Sequence, residues 1–125
     1  MPREIPKPWS GFLRDLDSAV SGPAEVVALG GFVMSLQYGM PRATGDIDLL
    51  FVSSEHVRDE LLRAGRRGSA LHRKHRLYLD YVVLTVEPAG YRSRAIEMFP
   101  ESLTNLRLFC LDPVDCLPLN GILRS

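Results

Sequence analysis

Two aspartates one residue apart, Asp46 and Asp48, stand at the head of an apolar run, Leu49-Leu-Phe-Val52. On a strand, residues i and i+2 share a face, so both carboxylates point one way while Ile47 and Leu49 point the other. About 6–7 Å apart, such a pair repels by roughly 2–3 kcal/mol at an effective dielectric near 20. A divalent cation removes that repulsion, and hard oxygen donors suit Mg²⁺ or Mn²⁺. A third acid, Asp80, interrupts Leu77-Tyr-Leu-Asp-Tyr-Val-Val-Leu84. A carboxylate inside so apolar a strand is costly unless it is paired or ligates metal. If the two strands are neighbours, three carboxylates converge. Each acid also has a plainer reading. Asp-x-Asp is the pattern of many turns and caps, and Asp80 alone fits an edge position facing solvent.

Gly30-Gly31 lies between the run Glu25-Val-Val-Ala-Leu29 and the segment Phe32–Tyr38. It reads as a strand-to-helix turn, or as a cradle offering backbone N–H groups to phosphate. It is not a Gly-x-Gly-x-x-Gly, so a dinucleotide fold is not supported. Arg63, Arg66, Arg67, His72, Arg73, Lys74, His75 and Arg76 form a dense cationic stretch just before the Asp80 strand. Such a stretch guides an RNA or triphosphate toward an acidic site, or it is a solvated hairpin arm. His72 and His75 have no cysteine near them, which argues against zinc.

These groups need elements to hold them. Ser10 can cap a helix over about 11–20, where Phe12, Leu13, Leu16 and Val20 recur at helical spacing. Residues 25–29 read as a buried strand and 32–38 as a helix stopped by Gly39, with Phe32, Met34 and Leu36 in the core. Trp9, Phe12 and Tyr38 are assigned to the core or a helix–sheet contact. Residues 46–52 form a second strand. Ser53 or Ser54 caps a third helix, ending at Gly65. The stretch 77–86 is the most strand-like in the chain, followed by a short helix over about 91–98. Residues 106–111 form another strand, and Asp112-Pro113 opens a last helix, spoiled by Pro118 and Gly121. Strands alternating with helices predict an α/β or α+β domain around one sheet.

Composition narrows the function. The chain has 125 residues, with 15 Lys+Arg against 15 Asp+Glu and 46% hydrophobic residues, values ordinary for one globular domain over 1–125. A neutral chain is not an obvious phosphate-backbone binder. The basic residues are 13 Arg and only 2 Lys, Lys7 and Lys74. No apolar run approaches about 18 residues, so no membrane span is expected. The polar, proline-rich start is no signal peptide. Cys110 and Cys116 can form at most a single bridge; they read first as small buried hydrophobes in a reducing cytosol, and a cytoplasmic location is expected.

The stretch Leu29-Gly-Gly-Phe-Val-Met-Ser-Leu-Gln-Tyr-Gly-Met-Pro-Arg-Ala-Thr-Gly-Asp-Ile-Asp-Leu-Leu50 resembles the core motif of the nucleotidyltransferase-fold proteins. It is most similar to their minimal AbiEii-like branch of toxin–antitoxin and phage-defence proteins. The close resemblance covers residues 25–52 and a looser one reaches Asp80 and Leu111-Asp-Pro-Val-Asp115. It implies a polymerase-β-like core, a small mixed sheet with helices packed on one side. It also implies transfer of a nucleoside monophosphate from an NTP to an RNA, tRNA or protein hydroxyl. By the resemblance, Gly30 and Gly31 hold the triphosphate through backbone N–H groups. Asp46, Asp48 and Asp80 hold two metal ions, and Asp80 accepts the proton of the attacking hydroxyl. Arg42 and Thr44 contact phosphate or pin their loop. A cognate toxin or antitoxin protein is the implied partner, and a homodimer would cover sheet left bare by the short tail.

The tail departs from that pattern. In the resembled proteins the segment matching Leu111–Asp115 opens a helix carrying a nucleotide-binding lysine, whereas no lysine follows Lys74 here. From about residue 116 the expected helical tail is short or degenerate, through natural shortening or a frameshift. The competing expectation is therefore a catalytically degenerate binding module that acts through a protein partner.

Overall fold

The computed structural model describes residues 4–38, 45–84, 86–116 and 122–124. Helix α1, Trp9–Ala19, forms because Trp9, Phe12, Leu13 and Leu16 fall on one face and are buried together. Its cap is Pro8, not Ser10. The N–H groups of Trp9 and Ser10 donate to the Pro6 carbonyl at 3.0 and 3.1 Å, so a backbone turn replaces the expected hydroxyl. Strand β1, Ala24–Leu29, runs through Gly30 into helix α2, Gly31–Tyr38. Phe32, Val33 and Leu36 of α2 are buried, and Trp9 meets Phe32 edge-on with ring centroids 5.0 Å apart. Met34, expected in the core, is 36% exposed, because it turns away from the face carrying residues 32, 33 and 36. The Tyr38 side chain and Gly39 lie outside the described set.

Strand β2, Asp46–Val52, leads into helix α3, Glu55–Gly65. The two candidate serines divide their work. Ser54 Oγ caps α3 by accepting from Val57 N–H at 3.2 Å, while Ser53 Oγ accepts from Glu25 N–H on β1 at 3.2 Å. The cationic stretch is not a hairpin arm. It contains helix α4, Ala70–His75, capped by Ser69 Oγ accepting from His72 N–H at 3.1 Å and closed by Arg76 at φ 58°. Lys74 and His75 on its last turn both reach Asp15 of α1, at 3.0 and 2.6 Å. A local cap and a distant carboxylate thus make a helix where charge density alone suggested a loop.

Strand β3, Tyr78–Leu84, is followed by helix α5, Tyr91–Arg94, and strand β4, Ile96–Met98. The helix expected over 91–98 therefore stops after one turn. Residues 96–98 instead pair antiparallel with strand β5, Leu106–Cys110, whose edge needs a partner. Helix α6, Pro113–Cys116, starts as the sequence predicts, with Asp112 Oδ1 accepting from Val114 N–H at 2.9 Å. Strand β6, Ile122–Arg124, was not expected and pairs antiparallel with β3. Pro118 and Gly121 lie outside the described residues.

The sheet is mixed, with strand order β4-β5-β1-β2-β3-β6. One face, built from Val26, Ala28, Ile47, Leu49, Leu79 and Leu108, packs under α1, α2 and α3 in the larger core. The other face carries Val27, Leu29, Leu50, Val82 and Leu84 and is covered by Tyr91 and Leu111. Between the Val27–Phe51 and Ala28–Leu49 pairs, Leu50 has no partner on β1, so a bulge sits there. The three longer helices, α1–α3, pack on one side of a small mixed sheet, which matches the expected architecture.

Asp17 ties α1 to the far side of the sheet. Its carboxylate accepts from the N–H groups of Thr104, Asn105 and Leu106 at 2.9, 2.7 and 2.7 Å. These donors lie where the chain enters β5. Asp17→Ala orphans them, and urea unfolding should show a loss of about 2–4 kcal/mol. Asp15 gives a pH-dependent case. Hydrogen bonds from His75 and Lys74 hold its carboxyl below the ordinary value of 3.8. The charged form is thus favoured by folding, so the contribution is full above that value and fades as pH falls through the lowered one. Urea midpoints of Asp15→Asn should lie below the unaltered protein at pH 7, and the gap should close in strong acid.

Candidate active site

The parallel pairing of β2 and β3 sets Asp48 directly beside Asp80, with Asp46 beside Tyr78. Side chains alternate along both strands, so Asp46, Asp48 and Leu50 share a face with Asp80 and Val82. That face is the one turned away from α1–α3. One carboxylate oxygen from each of Asp46, Asp48 and Asp80 can be chosen so that all three lie within 4.8 Å of one another. Asp48 is buried at 6% exposure, while Asp46 and Asp80 are half-buried. Two ionised carboxylates this close repel by about 3 kcal/mol or more at an effective dielectric of 20. Three hard oxygen donors at this spacing fit a divalent cation such as Mg²⁺ or Mn²⁺.

Gly30 closes the site on the β1 side. The last residue of β1, Leu29, pairs with Asp48, so the chain turns into α2 beside that carboxylate. Gly30 adopts φ +86°, which disfavours a side chain, and a Cβ there would stand 2.9 Å from Asp48 Oδ2. The position therefore needs glycine twice, for its backbone and for the close approach. Gly31 opens α2 next to it. The structure thus brings together Gly30, Gly31, Asp46, Asp48 and Asp80. Arg42 and Thr44 lie outside the described residues.

Two features were not singled out from sequence. Past Leu50, on the carboxylate face, lies an open groove of about 940 Å³ walled by Phe51, Tyr81 and residues 87–93. Its wall is held by Arg94, whose guanidinium grips buried Asp115 at 3.0 and 2.8 Å and the Ala89 carbonyl at 2.7 Å. Burial, then the nearby Glu87, raises the Tyr91 hydroxyl pKa in the same wall. Arg94 and Asp115 are 21 residues apart in sequence and carry no spacing signal.

The carboxylate cluster makes a metal prediction with a structural readout. Asp48→Asn keeps the shape of the side chain and removes one charged metal ligand, so the metal-free variant should still fold and melt cooperatively. Added Mn²⁺ should raise the melting temperature of the unaltered protein, by about 2–3 kcal/mol of stability at a hundredfold excess over Kd. The variant should lose that rise. An equal rise in both proteins would place the cation elsewhere.

The model of the AbiEii nucleotidyl transferase toxin family, a type IV toxin–antitoxin system, matches residues 12–102. The match runs from α1 through β4 and includes both glycines and all three aspartates. No curated protein and no solved structure matches the chain. Among the described residues, no helix is long and apolar enough to cross a membrane. With the motif order, the mixed sheet and the carboxylate cluster in agreement with that match, the chain belongs to the AbiEii nucleotidyl transferase toxin family.

Proposed function

We propose that this protein is a metal-dependent nucleotidyltransferase, the toxin of a toxin–antitoxin pair in the cytoplasm. It would move a nucleoside monophosphate from an NTP to a hydroxyl of RNA, tRNA or protein, and a cognate protein would restrain it. One observation carries the reading: one carboxylate oxygen from each of three aspartates within 4.8 Å of the others, with Asp48 against a glycine turn at a helix start. Converging hard oxygen donors beside a turn that carries no side chain are what metal and triphosphate binding require. That match favours the enzyme over the degenerate module.

Each residue has a defined task. Gly30 and Gly31 present backbone N–H groups to the triphosphate where no side chain intervenes. Arg42 and Thr44 contact phosphate or pin the loop before β2. Asp46, Asp48 and Asp80 hold Mg²⁺ or Mn²⁺, which when bound supplies Lewis-acid stabilisation of the phosphate oxygens. Asp80, half-buried at the β3 side, accepts the proton of the acceptor hydroxyl. The hydroxyl oxygen bonds to the α-phosphorus as the bond to the β-phosphate oxygen breaks. Pyrophosphate leaves with that electron pair.

The test uses each NTP labelled at the α-phosphate, with Mg²⁺ or Mn²⁺, total RNA and total protein. Label should appear in one acceptor class. Asp48→Asn and Asp80→Asn should each lower the rate by about a thousandfold, since lost transition-state stabilisation of several kcal/mol has that size. No label in any acceptor from folded protein would refute the proposal.

A further inference from the structure

The cationic stretch between α3 and β3 is not one surface. Lys74 and His75 hold Asp15 on α1. Arg73 donates to the Gly68 carbonyl at 2.7 Å, and His72 Nδ1 accepts from Gly68 N–H at 2.9 Å. Those four side chains anchor α4 and the turn before it. Arg66 and Arg67 have another setting. Both are exposed, and among the described residues neither forms an ion pair. With Tyr78 and Asp80 they line an open groove of about 580 Å³ along the outer side of β3.

Their placement is built into the fold. A backbone bridge pairs Arg66 with Leu79, which fixes it one residue from Asp80. The Arg67 guanidinium carbon lies 5.3 Å from the centre of the Tyr78 ring, and the His72 ring lies 4.8 Å from the same ring. A guanidinium held by a cation–π contact keeps its N–H edge for an anion, and its fork matches phosphate.

We propose that this groove seats a backbone phosphate of a polynucleotide acceptor, with Arg66 and Arg67 as its ligands and a strand hydroxyl delivered to Asp80. The role of Asp80 rests on the transferase reading above. Strand order supports the assignment. Gly30 and Gly31 stand on the β1 side of the carboxylates, and the groove stands beyond β3 on the other. In-line displacement needs the entering and leaving oxygens on opposite sides of phosphorus, and this layout separates them. A strand of phosphates would also be repelled by three carboxylates, and two arginines at the entrance offset that field. A polypeptide acceptor has no need of such a pair.

The experiment measures fluorescence anisotropy of labelled single strands of about 12 nucleotides, RNA and DNA of one sequence, with the full chain and no NTP. The Arg66→Gln/Arg67→Gln double variant should bind roughly tenfold more weakly, and its salt slope should fall by about 1.4. Arg14→Gln/Arg63→Gln makes the same charge change at exposed positions outside the groove and should do far less. The RNA and DNA arms show which sugar is accepted. Absence of strand binding by the unaltered protein, or equal losses in the two doubles, overturns the proposal. Binding that depends on Arg66 and Arg67 supports the groove even without transfer. Transfer to a protein without strand binding overturns the groove and leaves the transferase reading standing.

Discussion

Parallel pairing of β2 with β3 forces like charges together, and the rest of the structure can be read as what makes that tolerable. Asp48 lies beside Asp80 in the register, with Asp46 two residues earlier on the same face. Sliding β3 by one residue would turn Asp80 toward the helices and Leu79 and Tyr81 toward the carboxylates. The register therefore serves two ends at once. It buries Ile47, Leu49 and Leu79 under α1 and α3, and it aims the acids at the opposite face. Burial of the apolar set, about 1.5–3 kcal/mol per large side chain, outweighs the repulsion among the acids.

Tight packing behind the sheet holds that register. Gly65 at the end of α3 has no room for a side chain, since a Cβ would stand 2.9 Å from Leu16 and 3.2 Å from Leu79. This close approach lets the chain leave α3 against β3, where Arg66 bridges Leu79. On the far side, Asp17 gathers three backbone N–H groups at the entrance to β5. Helix α1 thus grips both flanks of the sheet from one side, and the carboxylates lie on the other.

Much of the local structure was legible in the residues. The bounds of β2, the cap at Ser54 and the start of α6 at Asp112-Pro113 follow from alternation and side-chain capping, which depend on near neighbours. Errors arose where distant contacts decide. Residues 96–98 took strand form because β5 offered an edge, and residues 70–75 became helix because Asp15, 59 and 60 residues away, holds Lys74 and His75. Met34 departs from the core pattern because its helix buries only one side.

The carboxylates and glycines of the site could be named from type and spacing alone, because metal ligation and phosphate cradling demand particular residues at particular offsets. Sequence could also state the condition for convergence, that the Asp80 strand lie beside the Asp46 strand. Whether it does depends on how the described strands share edges, a matter of burial summed over the whole sheet. The same holds for the two halves of the cationic stretch. Eight basic residues look alike in a row, and only the tertiary structure decides which of them pair with Asp15 and which stand beside Asp80.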